Sequence, residues 1–129
     1  MSGRRRLTAA GALAAAVLAV SSAPPPARAH AVLVRSIPAS RAVLGEPPDR
    51  VQLWFNERIE AAFSSVSVWS EAGAQVDRRD MAVDPDDAKH VAVTVKALAP
   101  GRYVVRFRVL SVDGHIVQAS FAFTVKPRS

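Results

Sequence analysis

Cysteine is absent from this 129-residue chain. That excludes disulfide staples and thiolate metal sites, so packing alone must hold any folded domain together, and metal donors are limited to imidazole, carboxylate, amine and thioether. Methionine occurs twice and histidine three times, too few to populate most enzyme templates; no Ser/His/Asp or paired-carboxylate constellation is apparent either. Nor is there an apolar run long enough for a membrane span, which takes about 20 strongly apolar residues. The longest candidate, Leu7 to Val20, is short and rich in alanine. Aromatic residues make up 6% of the chain, and no basic stripe interleaves with them, which argues against nucleic-acid binding.

What is present at the amino end is a three-part export signal. Arg4-Arg5-Arg6 supplies a positive start, Leu7 to Val20 an apolar centre, and the Pro-rich segment from Ala23 ends in Ala27-Arg28-Ala29, an A-x-A cleavage site. General secretion and twin-arginine export are both compatible with these arginines. Cleavage is expected to remove residues 1–29, leaving one domain over residues 30–129, exported to the periplasm, not membrane-spanning and monomeric. The signal takes with it four of the 17 basic residues (Arg4, Arg5, Arg6, Arg28) and none of the 11 acidic ones, so the formal charge falls from +6 to +2. The high pI belongs largely to the precursor.

Beyond residue 30 the apolar period is two, over short stretches, which predicts an all-β domain. Strands are expected at 31–36, closed by Ile37-Pro38, and at Val51 to Asn56, Val66 to Ser70 and Val91 to Lys96. Two more follow: Tyr103 to Val109, with Arg102, Arg106 and Arg108 on the opposite face, and Val117 to Val125 with Ala119 facing inward. A short seventh is expected near Gln75 to Met81. About seven strands, with a Tyr just after the turn Ala99-Pro100-Gly101, are the pattern of an immunoglobulin-like sandwich. Glu57 to Phe63 suits no more than a helical turn, and Val83 to Lys89 reads as a solvated acidic loop.

Cleavage before His30 would make it the amino terminus, where the α-amine and the imidazole can chelate one metal ion together. A second cluster, Asp113-Gly114-His115, lies between the last two strands. Residues two apart in extended chain point the same way, so Asp113 and His115 can share a ligand, and Gly114 allows the backbone to bend. The ordinary alternative is a two-residue Asp-Gly hairpin turn with an exposed His. With His30 included, three nitrogens and one carboxylate oxygen form a tetragonal set suited to Cu(II) rather than Zn(II). Glu57, at the end of the Val51 strand, is a further carboxylate candidate, either as a weak axial ligand or as an acceptor that orients His30. Its ordinary alternative is a surface pair with Arg58.

Several separated motifs, in order, carry a family resemblance: His30-Ala31-Val32-Leu33, Ser36-x-Pro38-Ala39, Pro48-x-x-Val51-x-Leu53-x-Phe55-Asn56-Glu57, Leu98-x-Pro100-Gly101-x-Tyr103, and Ser111-Val112-Asp113-Gly114-His115 leading into Phe121-x-Phe123-x-Val125. Together they resemble the CopC family of periplasmic copper-binding proteins. The resemblance implies a seven-stranded Greek-key sandwich or barrel, with Cu(II) bound by His30, Asp113 and His115 and with Glu57 where some members have a nearby acid. It also implies a part in copper resistance or uptake beside an inner-membrane copper transporter. Some members carry a Met-rich Cu(I) loop; past residue 29 this chain has only Met81, so a Cu(II)-only form is expected. His90 reads as an exposed histidine at a strand end rather than as a Cu(I) partner. No catalysis is expected. The rival readings are a polysaccharide monooxygenase, which also uses an N-terminal His on a β-sandwich, and a metal-free immunoglobulin-like interaction module.

Overall fold

A computed structural model describes residues 32–128, together with 3, 11 and 14–16. Eight strands form two four-stranded sheets: β1 (Leu33–Ile37), β3 (Arg50–Phe55), β6 (Asp87–Thr94) and β5 (Ala82–Asp84) in the order β1-β3-β6-β5, and β2 (Val43–Leu44), β8 (Ile116–Val125), β7 (Gly101–Leu110) and β4 (Ser65–Ser70) in the order β2-β8-β7-β4. Five links, β1 to β2, β2 to β3, β3 to β4, β4 to β5 and β6 to β7, pass from one sheet to the other, giving the crossed connectivity of an immunoglobulin-like Greek-key sandwich.

The two-residue period explains the core. Val51, Leu53 and Phe55 of β3, Val66 and Val68 of β4, Val91 and Val93 of β6, and Tyr103, Val105, Phe107 and Val109 of β7 all turn inward and are buried. Each large side chain so buried contributes roughly 1.5–3 kcal/mol, and together they replace the missing disulfides. Phe55 of β3 meets Phe107 of β7 edge-on at 5.6 Å, joining the two sheets, while Tyr103 lies against its cross-strand partner Phe123 at 5.5 Å within one sheet. The Tyr103 hydroxyl donates to the Ala99 carbonyl at 2.5 Å, the tyrosine-corner bond expected at that turn.

Several expectations are corrected. β1 runs from Leu33 to Ile37, and Ala31 lies outside the described residues. Gln75 to Met81 forms no strand. It meets the sheets through the isolated bridges Gln75 to Trp69 and Asp77 to Val95 and through single backbone bonds, from the Val76 amide to the Val68 carbonyl at 2.8 Å and from the Arg78 amide to the Thr94 carbonyl at 2.9 Å. The buried Asp77 carboxylate, which accepts the Val68 amide at 2.8 Å and the Arg79 amide at 3.0 Å, interrupts a regular ladder with side-chain bonds. The strand falls later, at β5, so the supposed acidic loop is a tight β5–β6 hairpin. β2 was not expected. It pairs parallel with β8 over two residues, flanked by bonds from the Arg41 amide to the Ala122 carbonyl and from the Thr124 amide to the Ala42 carbonyl. Ala119 is exposed rather than inward, in the first half of β8, where its neighbours Gln118 and Ser120 are exposed too. The helical turn is a single 3-10 turn, Ala61–Phe63.

His90 is not an exposed strand-end residue. Its side chain is 14% exposed, with Nδ1 3.1 Å from Asp84 Oδ2 and Nε2 3.1 Å from Gln52 Oε1. The ring stacks on Trp54 at 4.3 Å, and Arg35 covers the other side of that indole at 4.7 Å. These residues lie on adjacent strands, so cross-strand pairing assembles them. The Asp86 amide, and then His90, hold the Asp84 carboxyl below its usual value.

Candidate metal centre

The longest ladder in the fold, ten pairs from Gly101 opposite Val125 to Leu110 opposite Ile116, carries the Asp113/His115 cluster at its tip. The Ser111 amide donates to the His115 carbonyl and the Gly114 amide to the Ser111 carbonyl, each at 2.9 Å, and Gly114 has φ +88°. This is a three-residue loop closed by a left-handed glycine, not the two-residue Asp-Gly turn of the ordinary alternative. Asp113 thus sits inside the turn and His115 just beyond it, on opposite sides of the one residue that must be glycine-like.

That loop brings the two side chains together. His115 Nδ1 lies 3.0 Å from Asp113 Oδ2, with side chains 28% and 38% exposed, so the pair is open to solvent from one side while Nδ1 itself is shielded. Ser111, 1% exposed, donates its hydroxyl to Asp113 Oδ1. The Ser111 hydroxyl first, and the His115 ring second, hold the Asp113 carboxyl below its usual value, so it remains an anionic donor across ordinary pH. The donor spacing also suits a metal. Two donors at right angles, each about 2.0–2.1 Å from an ion, stand roughly 2.9 Å apart, close to the separation found here.

The backbone ties the same end of the sandwich to the amino-terminal segment. Ile59 bridges to Ser111, the Val112 amide donates to the Arg58 carbonyl at 2.9 Å, and the Glu60 amide donates to the Leu110 carbonyl at 2.8 Å. Three residues before Ile59, Asn56 exchanges two bonds with Val32: its amide donates to the Val32 carbonyl at 3.1 Å and its side-chain oxygen accepts the Val32 amide. A short relay from Val32 through Asn56 and Arg58 to Val112 therefore links residue 32 to the hairpin tip. His30 lies outside the described residues. Glu57 sits within this relay, half-buried just past β3. Among the described residues no three His, Asp or Glu side chains converge as a metal-binding group, so the structure does not gather Glu57 with Asp113 and His115. Sequence reasoning missed Ser111 and Asn56. A serine two residues before the aspartate, and an asparagine directly after a strand, were the available signals.

The CopC domain model matches residues 33–126, which covers the whole sandwich and the hairpin tip. The chain belongs to the CopC family. Its similarity extends to CopC from Methylosinus trichosporium OB3b, whose crystal structure superposes with a TM-score of 0.73 at 36% identity over 78% of this chain and 97% of that one. Protein YobA of Escherichia coli K12 is 32% identical over 114 residues, 88% of this chain and 92% of YobA. Copper resistance protein C of Pseudomonas syringae pv. tomato is 32% identical over 106 residues, covering 78% of this chain and 83% of that protein. Among the described residues of this CopC-family chain, no helix is long and apolar enough to cross a membrane.

Proposed function

We propose that this chain is an exported Cu(II) carrier that works in the periplasm, binding one ion as cargo after removal of residues 1–29. The ligands are the α-amine and ring of His30, the His115 ring and the Asp113 carboxylate. The observation that carries this reading is the 3.0 Å approach of Asp113 Oδ2 to His115 Nδ1, at the end of the sandwich to which Val32 is tied. Family membership, and the name of the Pseudomonas relative, support copper as the ion. Glu57 lies on the relay between the two halves of the site and serves as an outer acceptor or a weak axial ligand.

Each part of the chain has a distinct task here. Ser111 fixes the carboxylate, the bulged Gly114 sets the spacing of the pair, and the Asn56 clamp on Val32 limits where the terminus can go. Every nitrogen donor must lose its proton to bind, so affinity falls in acid; the α-amine, with a pKa near 8, loses its proton at little cost. An anionic ligand opposite nitrogen donors favours the cupric state, and a lone Met81 cannot build a thioether site, so the chain is of the Cu(II)-only form. Holding the ion rather than turning over a substrate is the role assigned, in copper resistance or in delivery to a membrane transporter, with the protein acting as a monomer.

The test is electron paramagnetic resonance of the Cu(II)-loaded, N-terminally sequenced protein, with competition titrations. Three nitrogen donors are expected. Asp113→Ala, His115→Ala, or one extra residue ahead of His30 should each weaken Cu(II) by more than the roughly 10–100-fold that loss of an outer partner costs. Equal affinity across these variants overturns the ligand set. Ascorbate-driven cleavage of chitin or cellulose above the free-copper rate would assign the monooxygenase role instead. An unchanged Tm on adding copper would indicate the metal-free module.

A further inference from the structure

The four strands of the β2-β8-β7-β4 sheet contain no acidic residue, whereas the other sheet carries Asp84 and Asp87 within its strands. On the outer face of the first sheet, β7 presents Arg106 and Arg108, both exposed. Cross-strand register places each guanidinium in a polar row: Ser65, Arg108 and Gln118 in one, Ser67, Arg106 and Ser120 in the next. These six side chains line a shallow depression of about 420 Å³. The ion pairs found among the described residues are His90 with Asp84, His115 with Asp113 and Arg128 with Glu46, so neither arginine has a carboxylate partner there. Arg102, farther along the strand, lies near the level of Glu71 beyond the end of β4 and is left out of the site.

From this arrangement the geometry points to a docking site for an extended acidic segment of a partner protein, with carboxylates at alternate positions engaging Arg106 and Arg108. Two features select that occupant. Arginines two apart on a strand are separated by about 6.8 Å, the repeat at which an extended peptide presents every second side chain to one face. A guanidinium takes a carboxylate through two parallel bonds, and the flanking hydroxyls and amide supply donors for the remaining oxygen lone pairs. Arg106 is also pre-oriented, its guanidinium carbon 5.3 Å from the centroid of the Trp69 ring. A bilayer would meet the face as a plane of charge and would have no use for a recess lined by short hydroxyls. The site begins two residue pairs below the Leu110 to Ile116 end of the hairpin, so a docked partner would lie beside the hairpin that bears Asp113 and His115.

The probe is a terminally blocked peptide with three glutamates at alternate positions, titrated into the metal-free full domain at low salt and followed by amide chemical-shift mapping. Saturable shifts confined to β4, β7 and β8 are expected, weakening at least about tenfold between 20 and 200 mM salt as screening shortens the reach of the charges. Arg106→Ser/Arg108→Ser, which alters only exposed side chains, should abolish them while the spectrum stays fully dispersed and unfolding stays cooperative. In a Trp54→Phe background Trp69 is the single indole, so its emission should move on peptide addition. The same peptide with glutamine for glutamate should give no response. Absence of shifts at millimolar peptide, shifts mapping elsewhere, or retention of binding by the double variant overturns the proposal. So does binding of anionic phosphatidylglycerol vesicles in the absence of any peptide response, which would make the face a membrane contact.

Discussion

Replacing Ser111 by alanine removes one buried oxygen and tests whether the hairpin positions its carboxylate or merely contains it. The hydroxyl donates to Asp113 Oδ1 and lies 3.2 Å from the His115 carbonyl and 3.3 Å from its amide. The latter two contacts are long, and the loop already has its own backbone bonds at 2.9 Å, so the fold should survive. The Asp113 carboxylate, however, loses its main positioning donor and can rotate away from His115. Loss of such an outer partner costs about 10–100-fold in metal affinity, and that is the expected rise in the Cu(II) Kd, read by competition with a chromophoric chelator at neutral pH. Ser111→Thr, which keeps a hydroxyl, should recover most of it. A second readout is independent of metal. The folded Asp113 carboxyl lies below its ordinary value of 3.8, so its ionised form stabilises the fold above that value and the contribution is lost as pH falls through the folded value. Without the Ser111 donor that loss should occur at higher pH, seen as an upward move of the Asp113 carboxyl midpoint in a carbon-detected NMR titration. Ser111→Ala with wild-type Kd and an unmoved midpoint, alongside a large loss in His115→Ala, would refute the positioning role.

Two further changes probe the frame around the site. Gly114→Ala meets no atom within 4 Å but must hold a left-handed φ of +88°, so calorimetric stability should fall by about 1–2 kcal/mol and Cu(II) affinity with it, because the Asp113 to His115 spacing relaxes; a neutral outcome in both would mean that the bulge does not set the pair. Tyr103→Phe leaves the Ala99 carbonyl without its 2.5 Å donor, a loss of about 1 kcal/mol that lowers Tm by roughly 4–8 °C in a domain of this size while leaving the copper spectrum unchanged.

The strands that alternate cleanly were readable because one face of each is sealed against the opposite sheet. Val51, Leu53 and Phe55, and the series from Tyr103 to Val109, leave only one register that hides them. Two segments lacked that pressure. β2 is two residues held by parallel backbone bonds, which leave no side-chain period to read, and β5 turns at Asp84-Pro85-Asp86, whose acids suggest solvent although the first of them grips His90. The same tertiary effect hid the His90 environment, since Gln52, Trp54 and Asp84 reach it from other parts of the chain. At the candidate metal centre, residue type and spacing singled out Asp113 and His115, but their contact arises from a bulged turn rather than from extended chain. The support from Ser111 and the clamp of Asn56 on Val32 required the fold, because only there do residues 32, 56, 58 and 112 become neighbours.

That clamp bears on how an ion would leave. In the proposed site two donors come from a stiff hairpin and two from His30, two residues ahead of the Asn56 clamp on Val32, so opening that latch would strip half the coordination sphere while the sandwich stayed intact. Hand-over to an acceptor could then proceed by peeling at one end rather than by global unfolding.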